Sequence, residues 1–538
     1  MTSSSPTASL EDPFYYLANF QFVLGWVAER HGDLLSAEEQ AFLADFAALP
    51  RASRALLVRM VMRRGEHFRT SKLVYPEISA DSQDRAESGD GEVALAPLMA
   101  AGLVEGDPVL PLELLFAQLR LPELRLALAE EIRAAGLPAM LGKAALFDAL
   151  APRRLEARPL AEWWPAAPDR VVRLTVMASC DRLRLLFFGN LRQDWAEFVL
   201  TELGLQCFEV VPFGAESRAF QRRAELEAYL ALHRLRQRLD AGESAVGLVR
   251  EWSAPPDDNP WLRSRGHRLR VALGRQAERE GAPGVALDCY VAAGWPPATG
   301  SAEARVRRLR LLERQGRYAE ALALAEPLAR APADEAEAQA LERLLPRLRR
   351  RLGLPVEASP PASEPQWMEL RLARTAGVEL AVRDRLHRDE APVHYVENAL
   401  FTGLFGLLCC LATLDEGRHG EAILATWRAK QGIANPFVHW DGLDEPLLTL
   451  ALARIPPAHL RACFERLLGD LKANRAGLPD LIQFLPEASA PTAPAYRLIE
   501  VKGPGDSLQD NQRRWLAFFR AEGIPAAVCR VRWQDGGA

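Results

Sequence analysis

The sequence has 538 residues, of which 49% are hydrophobic, and its formal net charge at pH 7 is -5. A chain of this length is too long for one ordinary domain, so roughly three or four domains are expected, with enough apolar residues for their cores. The slightly acidic charge excludes a uniformly basic surface, and a nucleic acid would have to bind to local basic patches.

The cysteines and the apolar segments indicate the cellular compartment of the protein. The seven cysteines form no CxxC pair and have no Cys/His finger spacing, which is typical of a reduced cytoplasmic chain with buried thiols. The first residues lack a basic region followed by an apolar one, and no run of about 18 apolar residues occurs. Secretion and a membrane span are therefore not expected.

Residues 1–110 are predicted to form an N-terminal helical DNA-binding domain, because apolar residues recur there at helical spacing. One of its helices has a basic end and runs into a polar segment that contains Phe68. The basic side chains are Arg63, Arg64, Arg69 and Lys72. Such groups with an aromatic among them could clamp a phosphate backbone, although a solvated helix end has the same pattern.

Residues 111–155 are predicted to form a second module of amphipathic helices. Its second half, residues 142–150, begins Gly142-Lys143 and resembles a SAP-type helix-extended-helix module. Such modules bind duplex DNA through helix N-termini and lysines near phosphates, so Lys143 is a candidate DNA ligand. A plain helical hairpin would have the same sequence pattern.

Residues 156–354 are predicted to form a mainly helical domain, although residues 171–213 fit either helices or a few strands. Residues 309–325 resemble a tetratricopeptide-style hairpin, and residues 281–290 resemble a poorer copy. Arg268 is a weaker candidate for DNA binding in this domain. The Pro-rich residues 355–365 predict a loop or linker before the last domain.

Residues 366–538 are predicted to form an α/β domain. Two apolar runs, residues 478–484 and 496–501, read as paired strands joined by a hairpin, and residues 526–531 read as a final strand after a turn and a helix. Strand side chains alternate, so Glu500 and Lys502 share one face, which Asp480 can reach. A buried helix is predicted over residues 396–408, with Glu397 near its start.

Glu397, Asp480 and Glu500 would then form a carboxylate cluster. Such a cluster is costly unless a hard cation neutralises it, and oxygen ligands favour Mg²⁺ or Mn²⁺. The carbonyl of Val501 is a further expected ligand. Lys502 would orient or help to deprotonate a water and offset charge in the transition state. An Asp followed by Glu-x-Lys in this strand context is typical of metal-dependent nucleases of the PD-(D/E)xK type.

A known family carries these features together. Residues 477–480 (GLPD), residues 500–504 (EVKGP), Asp506 and Gln512 resemble the VRR-NUC module. With the SAP-like and tetratricopeptide-like parts, the chain resembles the bacterial form of the Fanconi anaemia-associated nucleases. The resemblance implies a structure-specific endonuclease and 5′-3′ exonuclease that cuts 5′ flaps and branched DNA in interstrand crosslink repair with Mg²⁺ or Mn²⁺. It also implies a cytoplasmic, nucleoid-associated location.

The resemblance also assigns roles to single residues. Glu397, Asp480 and Glu500 match the metal-binding carboxylates, Lys502 matches the catalytic lysine, and Asp506 and Gln512 match supporting positions. Asn511 stands where eukaryotic members have a basic residue, and Lys472 and Arg475 could supply phosphate contacts instead. The cysteine pattern does not fit the ubiquitin-binding zinc finger of eukaryotic relatives, so a ubiquitinated partner is not implied.

Two other functions fit parts of the sequence. Isolated VRR-NUC modules can act as dimeric Holliday-junction resolvases, although the long N-terminal region disfavours that alternative. A DNA-binding helical scaffold with an inactive nuclease module is the other alternative. It is disfavoured because a scaffold does not require buried carboxylates facing a lysine.

Overall fold

The computed structural model describes residues 12–81, 90–138, 140–195, 209, 213–256, 258–296, 298–356, 365–409, 419–486 and 495–534. They divide into two compact units. The first contains the described residues up to Glu227 except Glu209, and the second contains Glu209 and the described residues from Ala228 onward. The predicted fold class, mainly α with a C-terminal α/β domain, is confirmed.

The first unit is built from short helices around a small sheet. Its helices are α1 (Tyr15–His31), α2 (Ala37–Ala48), α3 (Arg51–Val61), α4 (Pro76–Asp81), α5 (Asp90–Ala100), α6 (Leu112–Gln118), α7 (Leu121–Ala127), α8 (Ala129–Ala134), α9 (Lys143–Leu150), α10 (Leu160–Trp163) and α11 (Met177–Phe188). Its strands are β1 (His67–Arg69), β2 (Val104–Glu105) and β3 (Val171–Leu174), paired antiparallel in the order β1-β3-β2.

The apolar periodicity of the N-terminal residues gives the observed core of this unit. Tyr16, Phe20 and Val23 on α1 are buried at helical spacing, and α2 begins with a capping box between Ser36 and Glu39. For residues 171–213 the sequence left helices or strands open, and the described part of this range contains a strand, β3, followed by a helix, α11. Residues 196–208 and 210–212 lie outside the described part of the chain.

A helical region follows, beginning with α12 (Arg223–Asp240), which crosses the boundary between the units. It continues with α13 (Ala245–Arg250), α14 (Pro260–Arg279), α15 (Pro283–Gly294), α16 (Ala302–Arg314), α17 (Tyr318–Arg330) and α18 (Glu335–Arg351). Gly281 and Gly316 take the left-handed backbone conformation (φ 73° each) in the turns of the two predicted hairpins. A Cβ on Gly274 would lie 2.6 Å from the Tyr290 ring, so this glycine permits the close packing of α14 on α15.

The C-terminal domain is a five-stranded mixed sheet with helices on both faces. Its strands are β4 (Gln366–Leu372), β5 (Val393–Tyr395), β6 (Leu481–Phe484), β7 (Tyr496–Lys502) and β8 (Ala526–Trp533). Its helices are α19 (Val378–Leu386), α20 (Leu400–Cys409), α21 (His419–Ala429), α22 (Glu445–Arg454), α23 (Pro457–Gly469), α24 (Leu471–Asn474) and α25 (Asp510–Ala521). The strand order is β4-β8-β7-β6-β5, parallel across β4, β8 and β7 and antiparallel across β7, β6 and β5.

The structure corrects several details of the predicted domain. The three predicted strands are present, but β4 and β5 add an outer strand on each side of them. The helix predicted over residues 396–408 begins only at Leu400, so Glu397 lies in the turn before it. The predicted hairpin over residues 488–494 and most of the 355–365 linker lie outside the described residues.

Burial explains the two faces of the sheet. Ile499, Val501 and Cys529 pack with α19 on one face, where Val382 is fully buried. Leu498 and Tyr496 point to the other face and pack with α25 and the helices between β5 and β6. The cysteines Cys180, Cys289, Cys463 and Cys529 are free and buried, as expected, whereas Cys207, Cys410 and the side chain of Cys409 lie outside the description. Within the described residues, no helix is long and apolar enough to cross a bilayer.

Candidate active site

Asp480 and Glu500 meet at one end of the inner strands β6 and β7. Asp480 directly precedes β6, is 7% exposed, and accepts a hydrogen bond on Oδ2 from the Val501 N–H at 2.7 Å. The antiparallel register pairs Leu481 with Ile499, which brings the residue before β6 level with Glu500. Alternation along β7 places Lys502 on the same face as Glu500.

Glu500 is 1% exposed, and its two oxygens differ in their contacts. Oε1 accepts from Gln512 Nε2 at 2.5 Å and lies 2.9 Å from Lys502 Nζ. Oε2 is buried and has no hydrogen-bond partner within the described part of the chain. Burial is the main reason that the pKa of Glu500 is raised, and the charge of Asp480 raises it further.

The pKa of Asp480 is raised for the same reason. Burial has the largest effect, the Val501 N–H opposes it, and the charge of Glu397 adds to it. Two buried carboxylates with raised pKa values, one of which has an oxygen that no hydrogen-bond donor among the described residues contacts, form a site that a cation would stabilise. This oxygen donor set fits a hard divalent cation.

Glu397 differs from this pair in its exposure and its hydrogen bonds. Its side chain is exposed in the turn before α20, where it accepts from the Tyr395 hydroxyl and from Asn398 Nδ2 at 3.4 Å. In the described residues, no three acidic, histidine or cysteine side chains lie close enough together to hold a metal ion as they stand. The three predicted carboxylates are therefore not close enough together to form one metal-holding cluster, although the charge of Glu397 still contributes, after burial, to the raised pKa values of Asp480 and Glu500.

Asp506 and Gln512 hydrogen-bond the end of β7 from the segment that follows it. Asp506 Oδ2 accepts from the Gly503 N–H at 3.0 Å, which closes the turn after Lys502. Gln512 lies in the first turn of α25, where its Oε1 accepts from the Gln509 N–H at 2.8 Å. This bond fixes the amide so that its Nε2 points to Glu500.

Three residues near the site were missed in the sequence. Tyr395 on β5 donates to Glu397, and Asn398 binds the loop before Asp480. The charge of Glu379, at the start of α19, raises the pKa values of Asp480 and Tyr395. No sequence signal identified Tyr395 or Glu379, because the pairing of β5 and the position of α19 place them there. An Asn beside a candidate metal ligand could have been noted.

Comparisons with known proteins agree with this geometry. Residues 14–105 match the family "FAN1, HTH domain", residues 109–163 match "Fanconi anemia-associated nuclease SAP domain", and residues 414–533 match "VRR-NUC domain". The Fanconi-associated nuclease 1 homolog of Pseudomonas aeruginosa is 44% identical over 566 aligned positions, which cover 98% of this chain and 97% of that protein. The chain belongs to the Fanconi-associated nuclease 1 family.

Some other members of the Fanconi-associated nuclease 1 family are similar over a shorter stretch. Fanconi-associated nuclease 1 of Homo sapiens is 31% identical over 111 positions, which cover 20% of this chain and 10% of that protein. Two crystal structures, described as paFAN1 bound to 2nt and to 1nt 5′flap DNA with gap, have TM-scores of 0.87 and 0.86 at 44% identity. They cover 98% and 97% of this chain and 100% of their own chains.

Membership of the Fanconi-associated nuclease 1 family makes the chain a DNA nuclease, and the VRR-NUC domain implies dependence on a divalent metal ion. Asp480, Glu500 and Lys502 fall inside the VRR-NUC match, whereas Glu397 lies before its first residue. The domain boundaries given by the sequence stay predictions.

Among the predicted DNA ligands of this Fanconi-associated nuclease 1 relative, Arg69 needs correction. Its guanidinium is buried and donates from Nε to Asp169 at 3.0 Å, and its other nitrogens bind Asp169 and Glu123. Two carboxylates neutralise this charge, so Arg69 serves the packing of the first unit rather than a phosphate. Arg63, Arg64 and Lys72 line a concave surface near it, and Arg63 lies 5.4 Å from the centre of the Phe68 ring.

The charged groups of the remaining candidate DNA ligands are not neutralised in the way that Arg69 is. Lys143 donates one hydrogen bond to the Leu119 carbonyl at 2.9 Å, and Arg268 is exposed on α14. Lys472 and Arg475 are exposed on either side of Asn474, whose buried carbonyl accepts from Trp515 Nε1 at 3.1 Å. The short helix α24 and the residue that follows it carry these two cations, and they are therefore anchored to α25 just upstream of the Asp480 segment.

Proposed function

We propose that this protein is a structure-specific nuclease that cuts 5′ flaps and related branched DNA and trims DNA from 5′ ends in the repair of interstrand crosslinks. The single observation that carries the proposal is the buried pair Asp480 and Glu500 beside Lys502, with a Glu500 oxygen that has no hydrogen-bond partner in the described part of the chain. The choice of a 5′ flap is supported by the similarity to paFAN1, described as bound to 5′flap DNA. Such a nuclease would work on the nucleoid, in the cytoplasm.

We further propose that Mg²⁺ or Mn²⁺ is held by Asp480, Glu500 and the carbonyl of Val501, with Glu397 as an outer ligand. When bound, the cation supplies Lewis-acid stabilisation of the charge that develops on the phosphate. The Tyr395 hydroxyl binds Oε2 of Glu397, so its Oε1, with only a 3.4 Å bond from Asn398, is the oxygen more available to a cation.

Lys502 is the proposed proton-handling and charge-stabilising group. Its side chain is 11% exposed and its ammonium is held by Glu500 at 2.9 Å, so its position is fixed before DNA binds. A partly desolvated cation at this place can orient the attacking water and offset negative charge on the phosphate. Gln512 and Asp506 contribute by holding Glu500 and the turn after Lys502.

The proposed DNA contacts are made by cations that reach phosphates and not base edges. They are Arg63, Arg64, Lys72, Lys143, Arg268, Lys472 and Arg475. Phosphate contacts position a duplex without reading its sequence, so recognition of a branch is expected to depend on DNA shape. No ubiquitinated partner is needed for this function.

The test compares cleavage of 5′-flap DNA with cleavage of an unbranched duplex, in Mg²⁺, in Mn²⁺ and in EDTA. Glu500→Gln keeps the shape of the side chain and removes its charge, and Glu465→Gln is the matched control on an exposed part of the same domain. Metal-dependent cutting near the branch, lost in Glu500→Gln and retained in Glu465→Gln, supports the proposal. Failure of well-folded wild type to cut any branched DNA contradicts it, and symmetric cutting of four-way junctions alone would favour a resolvase.

A further inference from the structure

The catalytic face of the sheet continues past Lys502 onto β8 and β4. The parallel register pairs Lys502 with Arg530, and Arg530 with Glu369. At the next position on the same face, two residues further along each strand, Arg532 pairs with Arg371. Paired residues in neighbouring strands point to the same side, and neighbouring strands lie about 4.8 Å apart. A row of charged side chains therefore runs from the active site to the outer strand.

Among the residues that the structure describes, none covers this half of the face, in contrast to the rest of the sheet. Arg530, Arg532 and Arg371 are exposed, whereas Cys529 and Val531 on the opposite face are buried. Toward the start of β8, the same face is covered by α25, where Val528 packs with Leu508 and Leu516. The Lys502 side chain is itself only 11% exposed, so the open surface begins at its pairing partner Arg530.

The open surface combines cations with an aromatic ring. Trp367 on β4 is 41% exposed, and the Arg530 guanidinium lies 4.5 Å from the centre of its ring. Glu369 neutralises one charge through Arg532 at 3.1 Å, and the two partners are 42% and 57% exposed. An aromatic side chain among cations on an accessible groove is what proteins use to bind single-stranded nucleic acid.

We propose that Arg371, Arg530, Arg532 and Trp367, here called the β4-β8 face, bind an unpaired stretch of DNA that continues from the phosphate cut at the active site. This inference rests on the proposed function, because it extends the path of the same substrate. A single strand is favoured over a duplex because an unpaired base can stack on Trp367, whereas bases in a duplex are already stacked on their neighbours. Cleavage at a flap requires an unpaired segment beside the cut.

Protection of an edge strand is the competing explanation for this surface. Charged side chains on an outer strand such as β4 prevent it from pairing with other chains. Protection of the edge would explain charged side chains on β4. It does not explain the exposed Trp367 or the cations on the inner strand β8. It also predicts no dependence of DNA binding on these residues.

The first test measures binding without cleavage. A fluorescein-labelled oligothymidylate of about six nucleotides is titrated in EDTA with wild type, with Trp367→Ala, and with the triple variant Arg371→Ser/Arg530→Ser/Arg532→Ser. Trp367→Ala is expected to weaken binding roughly tenfold, since one base loses its stacking partner. The triple variant is expected to flatten the slope of log K against log salt by about 2, at about 0.7 per phosphate.

The matched control removes the same charge from another part of the domain, in Arg385→Ser/Arg388→Ser/Arg461→Ser, where all three side chains are exposed. Its binding and salt slope are expected to stay within about twofold of wild type. Equal weakening by the two triple variants overturns the inference. Equal weakening of blunt duplex and oligothymidylate by the β4-β8 variant also overturns it, in favour of a duplex site. Thermal melting of each variant confirms that it is folded.

The second test measures cleavage as a function of the unpaired length. On a flap of about six nucleotides, kcat/KM of the β4-β8 triple variant is expected to fall roughly tenfold, whereas a one-nucleotide flap is expected to be cut at the wild-type rate. An unchanged ratio between the two substrates contradicts the inference. A wild-type protein that cuts no flap, yet binds oligothymidylate through these residues, contradicts the proposed function and leaves the single-strand site standing.

Discussion

Asn398 accepts two hydrogen bonds on its side-chain oxygen, from the Gly477 N–H at 3.0 Å and from the Leu478 N–H at 3.2 Å. A third bond runs from the Val396 N–H to the Asp480 carbonyl at 2.8 Å. These bonds fasten the turn that carries Glu397 to the loop that carries Asp480. Two carboxylates from distant parts of the sequence are thereby held on neighbouring segments.

Replacing Asn398 by Ala is expected to destabilise the domain by about 1–3 kcal/mol and to reduce cleavage. Two hydrogen bonds contribute about 0.5–1.5 kcal/mol each, and the left-handed backbone at this position (φ 49°) suits Asn better than Ala. Urea unfolding followed by tryptophan fluorescence measures the first effect. Asn398→Asp retains the acceptor and should lie near wild type, and Asn398→Gly separates the backbone effect from the lost bonds. An Ala variant as stable as wild type would contradict the role given to these bonds.

Two lysines near the site are expected to differ in kinetics. Lys502→Met should lower kcat by roughly 10²–10⁴-fold with little change in DNA affinity, because the lysine acts on the reacting groups. Lys472→Met should raise KM and leave kcat unchanged, because an exposed cation contributes equally to ground-state and transition-state binding. Steady-state cleavage of a 5′ flap gives both constants. Similar kinetic changes in the two variants would remove the basis for calling Lys502 catalytic.

Arg69 and Arg64 test the correction made in the first unit. Arg69→Ala is expected to lower the melting temperature markedly, since it leaves Asp169 and Glu123 without their buried cation, a change worth about 3–5 kcal/mol. Arg64→Ala is expected to keep the melting temperature and to weaken duplex binding, with a shallower salt dependence. Scanning calorimetry and a salt titration of DNA binding measure the two outcomes. Full stability of Arg69→Ala would return this residue to the list of DNA ligands.

Two ion pairs of the second unit are expected to differ in strength. Arg305 pairs with Glu337 where the side chains are 8% and 0% exposed, so Arg305→Ala should cost about 3–5 kcal/mol. Arg343 binds Asp510 with two bonds, but the partners are 48% and 53% exposed, so Arg343→Ala should cost at most about 1 kcal/mol. Thermal melting compares them. Arg305→Leu/Glu337→Leu should be more stable than Arg305→Ala, because no charge is left buried without a partner.

His31 predicts a pH dependence of the first unit. Burial, aided by the charge of Arg218, lowers the pKa of His31 to about 4, below its value near 6.5 in an unfolded chain. Between these values only the unfolded state takes up the proton, so stability is complete above about pH 6.5 and falls as the pH drops toward 4. The loss is at most about 1.4 kcal/mol per pH unit.

His31→Leu should remove this part of the pH dependence, measured as the change in melting temperature between pH 7 and pH 5. His439→Leu, at an exposed position, is the matched control and should retain it. If wild type and His31→Leu lose the same amount of stability on acidification, His31 is not the group responsible. The buried Nδ1 of His31, which has no partner within the described residues, is what makes its charging unfavourable.

The inner part of the nuclease sheet could be predicted from sequence because each signal was local. The apolar runs of β6 and β7 and the alternation of Glu500 and Lys502 do not depend on distant residues. The outer strands were missed for opposite reasons. β5 has only three residues and is a strand because it pairs with β6. β4 directly follows a Pro-rich segment, which hides the alternation of its apolar residues Met368, Leu370 and Leu372.

The parts of the site that escaped prediction depend on tertiary contacts. Whether Glu397 faces a cation or the Tyr395 hydroxyl is decided by the neighbouring strand, which the sequence pattern does not reveal. Arg69 belonged to a basic run, and it forms a buried ion pair only because Asp169 lies just before β3, the strand that pairs with β1. A basic residue in such a run can therefore be assigned to DNA binding only when its side chain is known to be exposed.

The order of the nuclease sheet has a consequence for synthesis on the ribosome. β7 carries Glu500 and Lys502, and its two neighbours are β6 upstream and β8 downstream. Until Ala526–Trp533 has emerged, β7 is an unpaired edge and β4 has no strand on which to dock. The upstream helices can fold while the chain is still growing. The nascent protein thus acquires its helical parts before its cutting centre, and a chain broken off ahead of β8 would hold no assembled nuclease.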